Sequence, residues 1–168
     1  MAAHGDADAH RLTSEEFRNV MGHFASGVTI ITTESEGKAY GTTASAVSSL
    51  SLEPPMVLIC MNESSSTGQA VARSGAFAIN ILHVDQHELA RRFATKDPRK
   101  FDGVELEPGP FGQPLLADAL ATIECGVTET MTGGTHTVYI GEVRSAVSYE
   151  GAPLAYFRGE FGRLELFG

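Results

Sequence analysis

The stretch Gly41–Asn62, GTTASAVSSLSLEPPMVLICMN, restricts the possible folds more than any other part of this sequence. Its first half is built from small residues: Thr42, Thr43, Ala44, Ser45, Ala46, Ser48 and Ser49. Its second half runs apolar from Met56 to Met61. Ser and Ala fill a core poorly beside the β-branched and aromatic side chains that strands ordinarily use. Such a ribbon suits the neighbourhood of a large flat group instead. Small side chains permit close approach, while hydroxyls and backbone N–H groups meet the polar edge of that group. Pro54 and Pro55 cannot donate to a central ladder, so they mark a corner or an edge, with one strand expected before them and one after.

The rest of the chain reads as short strands with a few helices between them. Residues 1–12 form a polar, flexible tail and residues 13–168 one domain. Thr13 and Glu16 make a capping box, followed by Phe17, Val20, Met21 and Phe24 at helical spacing, an apolar face for which core packing suffices. Val28–Thr33 and Phe77–Leu82 read as buried strands, the second carrying Asn80 as a polar intrusion. A helix is expected over about Gly68–Arg73, closed by Gly75, and another from a cap at Asp85 to Phe93. The segment Glu105–Pro114 reads as irregular because it holds three prolines. Strands resume at Ala119–Thr130 and Thr137–Ser148 around the Gly133-Gly134 turn, and the last strand lies in GEFGRLELF. Six or seven strands and three short helices lack the alternation of a doubly wound sheet. They predict a mainly β fold, an antiparallel barrel with inserted helices.

Twelve basic against 21 acidic residues give a net charge of −9, which argues against nucleic acid or an anionic membrane as the main partner. No apolar run reaches the roughly 20 residues that span a bilayer, and the N-terminus lacks the features of a signal peptide. Cys60 and Cys125 read as reduced core thiols, which fits a cytoplasmic protein.

The usual nucleotide and nucleophile signatures are missing: there is no G-x-G-x-x-G, Walker A loop or G-x-S-x-G. His83 and His87 are four residues apart, but no third ligand accompanies them, so no metal is expected. Arg91, Arg92, Lys96, Arg99 and Lys100 crowd ten positions of an acidic protein. An exposed helix end with a Glu88–Arg92 pair would account for them, and an anion site for cofactor phosphates is the reading preferred here. His136 follows a Gly-rich turn that could aim it into a pocket as a donor or proton carrier.

Taken in order, FASGVTIITT, GTTASAVSSLSLEPPMVLICMN, SSST, FAINIL, LARRFA with the following KF pair, GGTHTVYIGEV and PLAYFRGEFG resemble the flavin reductase domain family, the small reductase components of two-component flavin-dependent monooxygenases. The resemblance spans about Phe17 to Leu166. It implies a Greek-key antiparallel split β-barrel, a homodimer, FAD or FMN as flavin and NADH or NADPH as reductant, with FAD and NADH favoured. By the same resemblance, Thr43, Ala44, Ser45, Ala46 and Val47 line the flavin ring, with Ser48 and Ser49 further along the stretch. Asn62, Ser64, Ser66 and Thr67 approach the ribityl chain and phosphate, with Ala78 and Asn80 nearby. Lys100 and Phe101 match the family's KF pair, His136 its histidine near the nicotinamide, and Tyr156 and Arg158 the C-terminal border of the pocket. One position departs from the pattern: many members have Gly-Asp-His where this chain has Gly134-Thr135-His136.

The expected activity is therefore NAD(P)H-dependent reduction of flavin and its release to a partner oxygenase. The alternatives are an oxidase of the pyridoxamine-phosphate type that keeps its FMN, or a non-catalytic flavin-binding module.

Overall fold

The computed structural model describes residues 11–168, so most of the expected N-terminal tail, residues 1–10, lies outside the described residues. The chain opens with α1 (Ser14–Met21), started by the expected capping box: Thr13 Oγ1 accepts from the Glu16 amide at 3.2 Å, and the Thr13 amide donates to the Glu16 carboxylate at 2.8 Å. Short β1 (Ser26–Gly27) leads into β2 (Thr29–Ser35), β3 (Lys38–Ala44), β4 (Val47–Leu52) and β5 (Pro55–Asn62). Within Gly41–Asn62, two strands, the end of β3 and β4, therefore precede the proline pair where one was expected. Ser45 and Ala46 break the small-residue ribbon between them.

Next come α2 (Ser66–Ser74), β6 (Ala76–Ile81), a 3-10 turn at Val84–Gln86 and α3 (His87–Phe93). Gly75 closes α2 at φ 68°, the left-handed conformation that glycine adopts without steric cost. Asp85 does not cap α3: His83 caps the 3-10 turn, its Nδ1 accepting from the Asp85 amide at 3.4 Å, and α3 starts after Gln86 with no side-chain cap bond. The proline-rich segment is not structureless, because β7 (Leu106–Pro108) pairs with β8 (Pro114–Leu116). β9 (Ala121–Gly133) and β10 (His136–Ser148) form a long hairpin, and β11 (Leu154–Phe157) and β12 (Glu160–Arg163) a short one.

Seven strands make one antiparallel sheet in the order β3-β2-β6-β9-β10-β5-β4. Its two edge strands, β3 and β4, are consecutive in the chain and separated only by Ser45 and Ala46. The sheet must therefore curve enough to bring the end of β3 near the start of β4 at that two-residue step. A smaller sheet, β1-β11-β12, lies beside it.

β2 and β6 are buried on both faces, because apolar residues fill alternate positions for both sides. Ile31, Phe77 and Ile79 join a cluster with Ile59, Met61, Cys125, Tyr139 and Val71 of α2. Ile30, Val28 and Leu82 join a second cluster with Ala90 and Phe93 of α3. Asn80 ties the second side together: its Nδ2 donates to Ile30 O and Thr32 Oγ1, both at 2.9 Å, and its Oδ1 accepts from the Leu116 amide at 2.8 Å. Asn80→Ala leaves those buried groups unpaired and is expected to cost about 2–4 kcal/mol, measured as a lowered melting temperature.

The apolar face of α1 does not enter either cluster. No residue of the helix is buried; Phe17 stays 55% exposed, Val20 64% and Met21 50%, with Phe24 just beyond at 77%. The expected core role is thereby corrected. Periodicity reports that a helix has an apolar face, not that its own chain supplies the cover.

Candidate functional site

β5 alternates in burial along its length: Val57, Ile59 and Met61 point into the core, while Leu58 and Cys60 face the other way. That second face floors an open cavity of about 1030 Å³, at the upper end of the roughly 300–1,000 Å³ usual for ligand sites. Ser45, Ala46, Val47 and Ser48 form one wall. The ribbon is not sealed against the core, since Ser45, Ala46 and Ser48 are exposed. The opposite wall comes from α1 with Ser26 and Gly27, and Tyr156, Arg158 and Gly159 close one end. Ala46 O accepts from the Cys60 amide and Ser45 O from the Val47 amide, both at 3.0 Å, which fixes the backbone at the corner.

His136 lies outside this lining, at the start of β10, yet on the same face of the sheet. Residues directly opposite in an antiparallel pair share a face. His136 pairs with Asn62, and Val138 with Cys60. The histidine therefore stands at the rim, about 6.6 Å along the strand from the Cys60 position. Thr135 Oγ1 lies 3.0 Å from His136 Nδ1, so a hydroxyl occupies the place beside the imidazole where the family pattern carries a carboxylate.

Of the residues assigned from sequence, Ser45, Ala46, Val47, Ser48, Tyr156 and Arg158 come together around the cavity. Asn62 and His136 stand on its rim face. The others lie elsewhere. Thr43 Oγ1 donates to Ala90 O at 2.6 Å and so faces α3; Ala44 packs against the core cluster; Ser49 is exposed on β4. Ser64 donates its amide and hydroxyl to Asn62 Oδ1 at 2.9 and 2.7 Å, and Ser66 opens α2 after the cap Ser65. Thr67, Ala78 and Asn80 are buried, and the polar groups of Asn80 are spent inside the core.

The basic island is not at the cavity either. Arg91 pairs with Glu88, the partner expected for Arg92, while Arg92 donates to the carbonyls of Arg99 and Asp102. Arg99 lies beside Asp97, which its backbone amide holds below the usual carboxylate range. Lys100 Nζ donates to Thr95 O at 3.3 Å, and burial pulls its ammonium below the ordinary lysine range. Phe101 packs edge-on against Phe93, ring centroids 4.9 Å apart. Arg91, Arg92, Arg99 and Lys100 of this cluster thus have local partners, and none of its five basic residues lines the cavity.

Sequence reasoning missed Leu58, Cys60 and the α1 wall. The period-2 pattern of MVLICM would have found the first two, because residues alternate with those committed to the core. Both thiols are free; Cys125 is buried, and desolvation pushes it from an ordinary 9.0 up to about 12, against the pull of the Arg144 guanidinium. A thiol reagent is expected to modify Cys60 in the native protein and Cys125 only after unfolding. Because the Cys125 value is raised on folding, its contribution to stability is complete below 9.0 and is lost as pH climbs toward 12.

A curled antiparallel sheet with an open, largely apolar slot beside a side-chain-poor ribbon defines a β protein shaped for a flat ligand. Its relatives agree. A family model described as flavin reductase like domain matches residues 21–165. The chain is 48% identical over 151 residues to the reductase component of a 4-nitrophenol 4-monooxygenase/4-nitrocatechol 2-monooxygenase from Rhodococcus opacus, covering 90% of this chain and 81% of that one. The solved structure of flavin reductase PheA2 in its native state superposes with a TM-score of 0.86 at 38% identity, covering 92% of this chain and 100% of that one. The NADH:FAD oxidoreductase SgcE6 of Streptomyces globisporus C-1027, solved in complex with NAD and FAD fragments, gives a TM-score of 0.86 at 34% identity, covering 90% and 92%. The chain belongs to the flavin reductase-like family.

Proposed function

We propose that this chain is an NAD(P)H-dependent flavin reductase that passes a hydride to FAD or FMN and releases the reduced flavin to a separate oxygenase component. The observation that carries the reading is the open cavity beside the exposed Ser45–Ser48 ribbon in a member of this family. The names of its relatives, a monooxygenase reductase component and an NADH:FAD oxidoreductase, support the reaction, with FAD and NADH the favoured pair.

The residues present fit a flavin. The slot is large enough, its floor at Leu58 and Cys60 is apolar, and the ribbon offers small side chains and hydroxyls. Bound there, a flavin supplies the redox chemistry by accepting hydride from the nicotinamide. The chain's part is to hold and orient. Ser45–Ser48 would permit close approach, Leu58 and Cys60 would keep water from one face, and His136 on the rim would offer a donor toward the reductant.

Several further assignments complete the proposal. Residues 13–168 form one flavin reductase domain, and the curled sheet is a Greek-key split barrel whose edges part beyond Ser45 and Ala46. The cofactor-binding set extends outward from the lining to Ser49, Asn62, Ser64 and Ser66, which are exposed. Two copies associate, supported by the exposed apolar face of α1 and by Leu50 and Leu52, 48% and 87% exposed on β4. Two free thiols agree with a cytoplasmic setting. No helix among the described residues is long and apolar enough to cross a membrane.

Steady-state NADH oxidation with increasing free flavin tests the reading. Turnover that rises with free flavin and saturates is the expected result. Retained flavin without NAD(P)H consumption would instead indicate a binding module.

A further inference from the structure

The wall supplied by α1 carries a polar stripe. Glu15, Arg18, Asn19 and Gly22 follow one another at i, i+3, i+4 and i+7, and all four line the cavity. The apolar residues Phe17 and Val20 lie off that lining, exposed. The helix thus shows a polar stripe to the cavity, with Met21 and, just beyond the helix, Phe24 beside it. Across from it, Arg158 sits in the β11–β12 turn at φ 50°, a left-handed backbone that a branched-off arginine adopts only at some cost. Its amide donates to Gly22 O at 2.9 Å, so the turn is tied to the end of α1 and the two arginines belong to one rigid corner.

Neither guanidinium has a hydrogen bond or an ion pair among the described residues, whereas Arg91, Arg92 and Arg99 all have partners. Glu15 is the one carboxylate in the lining, and it forms no ion pair with Arg18. In a chain of net charge −9, two unpaired guanidiniums at one end of a largely apolar cavity make a local positive pole. Planar guanidinium forks match phosphate oxygens in geometry and charge.

We propose that Arg18 and Arg158 form the anion clamp of this cavity and hold the phosphate or diphosphate of a nucleotide whose ring lies toward the Ser45–Ser48 wall. The inference rests on the flavin reductase reading above and adds to it a phosphate pole on α1, built from residues other than the basic island at Arg91–Lys100. Three sources share this chemistry: the FMN phosphate, the FAD diphosphate and the diphosphate of NADH.

The test is a set of binding titrations that need no turnover. Riboflavin, FMN and FAD are titrated by flavin fluorescence, and NADH by its own, into the wild-type protein and into Arg18→Gln, Arg158→Gln and the double variant. Riboflavin has no phosphate, so its affinity is expected to hold within about twofold in every variant, which also reports an intact cavity. The phosphorylated ligand that uses the clamp weakens about tenfold per arginine. Equal losses for FMN and FAD assign the flavin phosphate, a loss for FAD alone its diphosphate, and a loss for NADH alone the nicotinamide dinucleotide. Arg18→Lys and Arg158→Lys recover part of the affinity, and added salt weakens the affected ligand more than riboflavin. Unchanged affinities for FMN, FAD and NADH in the double variant overturn the clamp, as does a loss for riboflavin equal to that for FAD. A wild-type protein that binds no flavin at all overturns the flavin reductase reading itself, and the clamp falls with it.

Discussion

Ala46→Phe is expected to weaken flavin binding roughly 10- to 100-fold while leaving the melting temperature nearly unchanged. Ala46 lies in the wall of the cavity and is exposed, so an added ring displaces no core side chain. The backbone around it is already committed, with its carbonyl accepting from the Cys60 amide at 3.0 Å. The new ring therefore occupies the slot or crowds its mouth. Fluorescence titration with FAD and FMN reads the loss, and a thermal melt reads the intact fold. Ser48→Ala is the matched control, since the Ser48 hydroxyl donates to the neighbouring Ser49 O at 3.0 Å and its removal leaves the wall small. A phenylalanine variant that binds flavin as well as the parent would show that the ribbon is not the wall the ligand meets.

The second large effect concerns the fold. Glu124 on β9 is 1% exposed, and its Oε1 accepts from the amides of Phe111 and Gln113 at 3.1 and 3.2 Å. The carboxylate thus braces the turn between β7 and β8, beside the turn's own bonds from the Gly109 amide to Gln113 O at 2.8 Å and from the Gly112 amide to Gly109 O at 2.9 Å. Glu124→Ala removes the acceptor of both N–H groups, that of Gln113 in a buried residue, and leaves a void, an expected cost of about 3–5 kcal/mol. For a chain of this size that lowers the melting temperature by roughly 10 °C. Glu124→Gln keeps an acceptor oxygen and should recover much of the loss. Gly109→Ala attacks the same contact from the other side, because a Cβ there would lie 2.4 Å from the carboxyl carbon and one of its oxygens. An alanine variant of Glu124 that melts with the parent would mean that the turn is held by something else.

Local features of the fold were legible in the sequence because their causes are local. Thr13 and Glu16 cap α1, Gly75 ends α2, and the Gly133-Gly134 turn joins two long strands, as their chemistry dictates. The exposed ribbon was legible for a related reason: small residues in a strand need something other than a core to lie against. Features that depend on distant partners were not legible. Nothing near Ser45 says that β3 and β4 hold opposite edges of one sheet. Arg91 and Arg92 looked like an anion site because their partners Glu88, Arg99 O and Asp102 O are matters of loop geometry. Asn80 was noticed as a polar intrusion, but only the approach of β2 and β8 makes it a core hub. Arg18 carried no signal at all, since its role depends on which side of α1 meets the cavity.

The step at Ser45 and Ala46 bears on how the empty and filled proteins differ. Two edges of one ribbon of strands arrive there, and no ladder bonds β3 to β4. An occupant touching the Ser45–Ser48 wall on one side and α1 on the other would act as a clasp across that seam, tightening the protein in proportion to ligand concentration over its dissociation constant. The melting temperature of this chain should therefore climb with flavin, and amide exchange should slow first beside the seam rather than in the doubly buried strands β2 and β6.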